Sequence, residues 1–276
     1  MRIVVCIKQV FDPATIRVSS RGDLVTQEGV RVINPADLCA MEEALKLKDT
    51  QGDAVGVEVI ALTLDTRMGS PEADDALREA LAMGADRSVL LSDAAFAGGD
   101  AQAMSYALAQ AVRTLGDVDL VLAGARSLDS DGDNGGSDCG ASLGPLIAGH
   151  LGVSQITAAV ALAISLGRAS AIQRFETGDR RVSVPLPAVV TIPAHSNVPR
   201  LAPAASIMNV YKQGRVQTWL AADIGADAAH LGSEGSLTVV RRTFPPEPPP
   251  AGEILAGSAA EAAQALAARL RTRGFI

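Results

Sequence analysis

The run Asp117-Val118-Asp119-Leu120-Val121-Leu122-Ala123-Gly124-Ala125-Arg126-Ser127-Leu128 reads as a short buried strand feeding a turn of small residues. An acidic, glycine-laden segment follows, Asp129-Ser130-Asp131-Gly132-Asp133-Asn134-Gly135-Gly136-Ser137-Asp138-Cys139-Gly140. The stretch closes on Ala141-Ser142-Leu143-Gly144-Pro145-Leu146-Ile147-Ala148-Gly149-His150-Leu151, a helix by its composition. Open α/β sheets build their ligand sites from such strand–turn–helix units, at the carboxyl ends of the strands. Free amides at the start of the helix suit a phosphate or another anion. The acids do not make a calcium loop of the helix–loop–helix kind. Counted from Asp129, the glycine position holds Asn134 and the bidentate glutamate position holds Gly140.

Outward from this unit, strands and helices alternate. Arg2-Ile3-Val4-Val5-Cys6-Ile7 is a first strand, and Ile16 to Val18 with Leu24 to Thr26 flank a hairpin turn. Asn34-Pro35-Ala36-Asp37 opens a helix with Leu38, Met41, Ala44, Leu45 and Leu47 at helical spacing, Asn34 serving as cap. Strands at 57–64 and 87–91 frame a helix that begins near Ser70 and stops at Gly84, and a further helix ends at Gly116. This order predicts a parallel sheet covered by helices on both faces. No GxGxxG follows the first strand, and no GxxxxGK[ST] occurs. Beyond Gly152, alternating stretches up to Leu186 predict an antiparallel extension of the sheet, and 187–192 a further core strand. From residue 199 regular burial is lost. A loop, a short helix at 204–211, an arm anchored by Trp219, the proline-rich run 244–250 and a final helix at 259–271 make up the rest. The expected division is 1–198 and 199–276.

Composition narrows the function. Only 3 % of the 276 residues are aromatic while 48 % are hydrophobic, so the core is Ala, Val, Leu and Ile. A net charge of −7 argues against a nucleic-acid partner. Cys6, Cys39 and Cys139 are far apart and read as reduced thiols of a cytoplasmic protein. The N-terminus lacks the pattern of a secretory signal, and no apolar stretch has the roughly 20 residues of a membrane helix. His150, His195 and His230 form no recognisable catalytic motif, and Cys139 has no partner base placed by the sequence. No catalytic residue and no metal site is expected, which favours a binding or carrier subunit.

Several blocks, taken in order, resemble the β subunits of electron-transfer flavoproteins, the family that includes the FixA proteins. They are Ile3 to Val10, Ile33 to Asp37 with Glu42 to Lys48, Ala80 to Arg87, Asp117 to Gly124 and Leu186 to Thr191. Ala80-Leu81-Ala82-Met83-Gly84-Ala85-Asp86-Arg87 is the most specific. Phe96 to Asp100, Trp219 to Gly225 and Arg241 to Pro246 resemble the FixA-like and electron-bifurcating members.

The resemblance implies an adenine-nucleotide α-hydrolase-like, Rossmann-type fold and a heterodimer with an α subunit that holds FAD. It implies AMP or a second FAD in this chain, held by Cys6, Asn34, Pro35, Ala36, Asp37 and Leu64. Gly124, Ala125, Arg126, Ser127, Leu128 and Asp129 would contribute from the turn, and Gly140, Ala141, Ser142, Leu143 and Gly144 from the closing helix. It also implies docking of a flavin-linked dehydrogenase through Arg200, Leu201, Ala202, Pro203, Ala204, Ala205, Ser206, Ile207, Met208 and Asn209. Electrons would pass on to a quinone-reducing or other acceptor. Three departures stand out. The acidic loop is longer and lacks the usual glutamine, Asp65-Thr66 replaces a Gly-Pro, and Ala204 replaces a leucine anchor. Negative charge at Asp65, Asp131, Asp133 and Asp138 is expected to oppose a phosphate. The competing readings are an adenine-nucleotide-binding regulatory protein and a family member with a degenerate cofactor site.

Overall fold

The strands are β1 (Arg2–Cys6), β2 (Gln9–Phe11), β3 (Arg17–Val18), β4 (Leu24–Val25), β5 (Arg31–Ile33), β6 (Glu58–Asp65), β7 (Arg87–Ser92) and β8 (Leu120–Gly124). They continue with β9 (Ser154–Ile156), β10 (Ala159–Ser165), β11 (Arg168–Phe175), β12 (Gly178–Pro185), β13 (Ala188–Ile192) and β14 (Val216–Trp219). The α-helices are α1 (Pro35–Gln51), α2 (Ala73–Met83), α3 (Ala101–Leu115), α4 (Cys139–Leu151), α5 (Ala204–Gln213) and α6 (Ala259–Thr272). This computed structural model describes the chain apart from residues 13, 16, 19–23, 26–29, 52–55, 67–72, 129–138, 176, 214–215, 240, 242–251 and 253. The turn of the expected hairpin and the acidic loop from Asp129 to Asp138 therefore lie outside the described residues, although β3 and β4 do pair antiparallel.

Seven strands form the main sheet in the order β14-β7-β6-β1-β8-β13-β9, and every pairing in it is parallel. Strand alternation divides its residues between two cores. Ile3, Val5, Val59, Ala61, Leu120 and Leu122 face α1 and α2, meeting Met41, Leu45, Leu77 and Ala80. Val4, Cys6, Ile60, Leu62 and Val121 face α3 and α4, meeting Leu108, Val112 and Ile147. Leu120 and Leu122 are both fully buried, and each contributes about 2 kcal/mol by leaving water. The continuous apolar run of β8 is what a strand covered on both faces requires.

The helix starts follow local chemistry. Pro35 opens α1 where it has no hydrogen bond to lose, and Asp37 places an acid in the first turn. Asp100 caps α3, its carboxylate accepting the amides of Gln102 and Ala103. Helix α4 passes so near β13 that a Cβ on Gly144 would lie 2.2 Å from Thr191 Cγ2. Only glycine allows that approach.

Two regions differ from the sequence reading. The antiparallel strands β10, β11 and β12 are present but hydrogen-bond in a sheet of their own instead of lengthening the main one. Leu162, Ile164, Val182 and Val184 on their inner face pack against the α1 side of the core. The stretch read as an arm around Trp219 instead supplies an edge strand, β14 pairing with β7 from Val216↔Ser88 to Trp219↔Leu91. The chain divides into compact units at Met1–Thr243 and Phe244–Ile276, so the expected boundary at 198 falls inside the first. The second unit contains α6, which begins in a capping box between Ser258 and Glu261 and buries none of its side chains.

Candidate functional site

Strand order fixes where a ligand site belongs. From β1 the chain moves outward through β6 and β7, then returns to lay β8 on the other side of β1. This reversal opens a crevice outside the carboxyl ends of β1 and β8, the usual ligand position in open α/β sheets. Helix α1 starts beside the same crevice, and the turn after β8 crosses it.

Two side chains from the start of α1 close the crevice. Asn34 is buried; its amide nitrogen donates to the Arg126 carbonyl at 2.9 Å, and its oxygen accepts the Leu128 amide at 3.2 Å. Asp37, also buried, accepts the Lys8 amide on Oδ2 at 2.8 Å and the Gly124 amide on Oδ1 at 2.9 Å. Asn34 therefore serves the start of α1 with its backbone carbonyl and spends its side chain on the turn after β8. Together the two residues tie the end of β1 to both ends of the 124–128 turn. Ala125 adds a bond from its amide to the Ile192 carbonyl of β13 at 2.8 Å. A Cβ at Gly124 would sit 2.2 Å from Asp37 Oδ1 and 2.8 Å from Ala36 Cβ, so no larger residue fits there.

Burial dominates the electrostatics. It pushes the Asp37 carboxyl up to about 7, although the Lys8 and Gly124 amides, Asn34 and the Lys8 charge all pull the other way. Burial, followed by the nearby Asp37, pushes the Cys6 thiol up to about 12. Cys6 is thus a packing residue beneath the crevice and no nucleophile.

The structure brings Cys6, Asn34 to Asp37 and Gly124 to Leu128 to one crevice. Leu64 lies on β6, the strand beside β1, two residues beyond the Cys6↔Leu62 pair. Gly140 to Gly144 fall in the first turns of α4, with Gly144 against β13, one strand further along. Asp129 is outside the described residues. Asp65 is buried at the end of β6, where Ser92 Oγ donates to it at 3.3 Å, so its charge meets a hydroxyl on β7. Among the described residues no cluster of three or more potential metal ligands occurs, and no helix is long and apolar enough to cross a membrane.

A family model described as electron transfer flavoprotein domain matches residues 22–223. The electron transfer flavoprotein subunit beta of Clostridium acetobutylicum is 37 % identical over 277 residues, covering all of both chains. The chain belongs to the electron transfer flavoprotein family. Its role there is that of the β subunit. Subunit CarD of the caffeyl-CoA reductase-Etf complex of Acetobacterium woodii is 36 % identical, again over the whole of both chains. Protein FixA of Azorhizobium caulinodans is 40 % identical over 255 residues, 89 % of this chain and 85 % of that one.

In this electron transfer flavoprotein β chain, the segment 200–209 has a bolted base and a bare tip. Arg200 donates to Glu42 from Nε at 2.9 Å and from Nη2 at 3.1 Å, and Nη2 also reaches Asp49 at 2.8 Å. Asn197 holds the Cys39 carbonyl and Glu43. Leu201, by contrast, is 93 % exposed, and Ala204, Ile207 and Met208 also face solvent. Helix α5 rests on α2 through Val210, which packs with Leu81 and Ala82.

Sequence reasoning passed over two groups of residues. Asp93 and Asp100 strap the stretch after β14 to the start of α3. Asp93 accepts the Ala221 amide, and Asp100 accepts those of Leu237 and Thr238 at 2.8 and 2.9 Å. The block Phe96 to Asp100 is a sequence signal for Asp100, and Asp93 lies outside it. His150 and His230, scattered in sequence, both meet Tyr106, with ring centroids at 5.7 and 5.0 Å. Nothing in their spacing announces that.

Proposed function

We propose that this β chain pairs with a flavin-holding α subunit and binds an adenosine phosphate, as AMP or as part of a second FAD, in the crevice at the ends of β1 and β8. The carrying observation is the strand-order reversal at β1, with a close-packed turn of small residues from Gly124 at its mouth. The donor set fits the group. The turn offers small residues and main-chain groups that a phosphate and a ribose can approach closely, and Arg126 is the cation it carries. The redox chemistry belongs to the flavin. This chain binds and orients the adenosine end, so it works as a carrier subunit without a bond-making residue of its own.

Two parts of the chain beyond residue 199 serve assembly in this reading. The exposed tip at 201–208 docks a flavin-linked dehydrogenase, and the unit from Phe244 onward engages the α subunit. Its α6, with no buried side chain, is the kind of helix that gains its packing from a partner. Electrons then leave for a separate acceptor in the cytoplasm. Names of relatives support the assembly: CarD is called a subunit of an Etf complex.

The test is co-expression with the α subunit, followed by an absorption spectrum and analysis of released nucleotides per heterodimer. Two flavins, or one flavin and one AMP, support the proposal and say which occupant the crevice takes. One flavin with no second nucleotide refutes the crevice assignment. Failure to form any heterodimer refutes the assembly.

A further inference from the structure

We propose that Asp37 is a positioning residue of the nucleotide crevice, spending one carboxylate on two amides so that the end of β1 and the 124–128 turn are held at a fixed aperture. The inference rests on the nucleotide reading above and goes beyond it, because Asp37 is expected to act without touching the ligand. Its oxygens are already taken: Oδ2 by Lys8 N at 2.8 Å and Oδ1 by Gly124 N at 2.9 Å. The Gly124 contact is so close that a single added carbon would break it. Asn34 completes the arrangement from the other end of the turn, at Arg126 and Leu128. A crevice built from main-chain groups has no side-chain rotamers to adjust, so its shape depends on what fixes the backbone.

The arrangement is proton-sensitive. Both oxygens accept, and a proton on either one turns it towards an N–H as a second donor. The titratable groups acting on Asp37 are Lys8, two residues past the end of β1, which favours the ionised form, and Cys6, the last residue of β1, which stays a neutral thiol. From β8 the Gly124 amide meets it, and from its own helix start the Asn34 amide. With the carboxyl pushed up to about 7, the clamp is complete above neutrality and is lost as pH falls through 7. Stability runs the other way. A buried acid whose pKa is raised above its unfolded value weakens the fold as pH rises from about 4 to 7. The ionised clamp is therefore held at the expense of stability.

The experiment uses the α/β heterodimer, stripped of nucleotide, and measures FAD and AMP affinity between pH 6 and 8.5 for the natural chain and for Asp37→Asn. The variant keeps the shape but sets an NH2 against one of the two amides. The expected result is roughly tenfold weaker binding at pH 8, the loss of about one hydrogen bond's worth of organisation. The natural chain should lose affinity below pH 7 and the variant should be flat, while its thermal midpoint at pH 8 is unchanged or higher. Equal affinity in both proteins overturns the proposal. So does tighter binding at low pH, which would mean that Asp37 acts only by repelling phosphate. A midpoint that falls in step with affinity assigns Asp37 a structural role and overturns it too. If the natural heterodimer binds neither nucleotide at any pH, the crevice reading itself fails and the proposal falls with it.

Discussion

Arg200 grips Glu42 from three donors, its backbone amide at 3.0 Å and its Nε and Nη2 at 2.9 and 3.1 Å, joining segment 200–209 to the middle of α1. Burial alone would raise the Glu42 carboxyl, but Arg200's hydrogen bonds and charge outweigh it and hold the group below the usual range. Arg200→Ala leaves a buried carboxylate half-satisfied. We expect about 2 kcal/mol of lost stability at pH 7, from hydrogen bonds to a charged group. Because the folded pKa is depressed, the difference between the two proteins should shrink as pH falls through and below the ordinary carboxylate range and Glu42 protonates. Urea unfolding at pH 7 and pH 3.5 checks both statements.

Gly124→Ala introduces a carbon into a space bounded by Asp37 Oδ1 at 2.2 Å, with Ala36 Cβ 2.8 Å away. Something has to move, and overpacking of this kind costs about 1–3 kcal/mol. The expected outcome is a lower thermal midpoint together with loss of the nucleotide from the purified heterodimer. Gly149→Ala, inside α4 with nothing within 4 Å of its added carbon, is the matched control and should keep the nucleotide with a midpoint unchanged or slightly raised.

Asp100 serves four amides at once, two as helix cap and two from Leu237 and Thr238. Burial pulls its pKa up, yet the hydrogen bonds prevail and keep it below the ordinary carboxylate value. Asp100→Ala should cost about 2–4 kcal/mol, a cap plus the strap. Hydrogen exchange should show the amides of 237 and 238 losing protection before the sheet does. Because the folded pKa is depressed, the strap should hold in the natural chain through the ordinary carboxylate range and weaken only as pH falls below it.

Cys6 and Cys39 are both buried free thiols, and the Cys6 pKa is pushed up to about 12. At pH 8 neither should be alkylated in the native protein on the timescale of an exposed cysteine. Site-resolved mass spectrometry after iodoacetamide, with and without urea, reads this directly.

Ala204 opens α5 on the surface, three residues after the exposed Leu201. Ala204→Leu restores an apolar anchor without disturbing packing, so stability should stay within about 0.5 kcal/mol. Docking to an acyl-CoA dehydrogenase should become measurable by electron-transfer kinetics. Undetectable docking in the variant would remove the proposed role of segment 200–209.

Much of the sheet was legible because its strands carry their own evidence. Leu120 to Ala123 and Ile3 to Ile7 are apolar without interruption, which only a doubly covered strand needs. Val216 to Trp219 gave no such sign. Its burial is partial, and it becomes a strand only because β7 offers an edge 125 or more residues earlier in the chain. The alternation between 159 and 185 was equally plain, but the same period serves an added edge and a separate sheet. For the crevice, residue types at the start of α1 were readable and their partners were not. Asn34 before Pro35 is an ordinary cap by sequence, and its bonds to Arg126 and Leu128 span 92 and 94 residues. Asp37 and Gly124, 87 apart, likewise meet only in the fold.

The position of β14 also bears on how the chain is made. Until residue 219 has been synthesised, β7 has an open edge carrying Val89 and Leu91, both wholly buried in the finished molecule. An unprotected apolar edge pairs with whatever strand it meets. Nascent chains stopped before Val216, or fragments cut at 198, should therefore self-associate, whereas fragments that run through Trp219 should stay dispersed. Size-exclusion chromatography of the two kinds of fragment checks this, since β14 is the strand that covers the edge of β7.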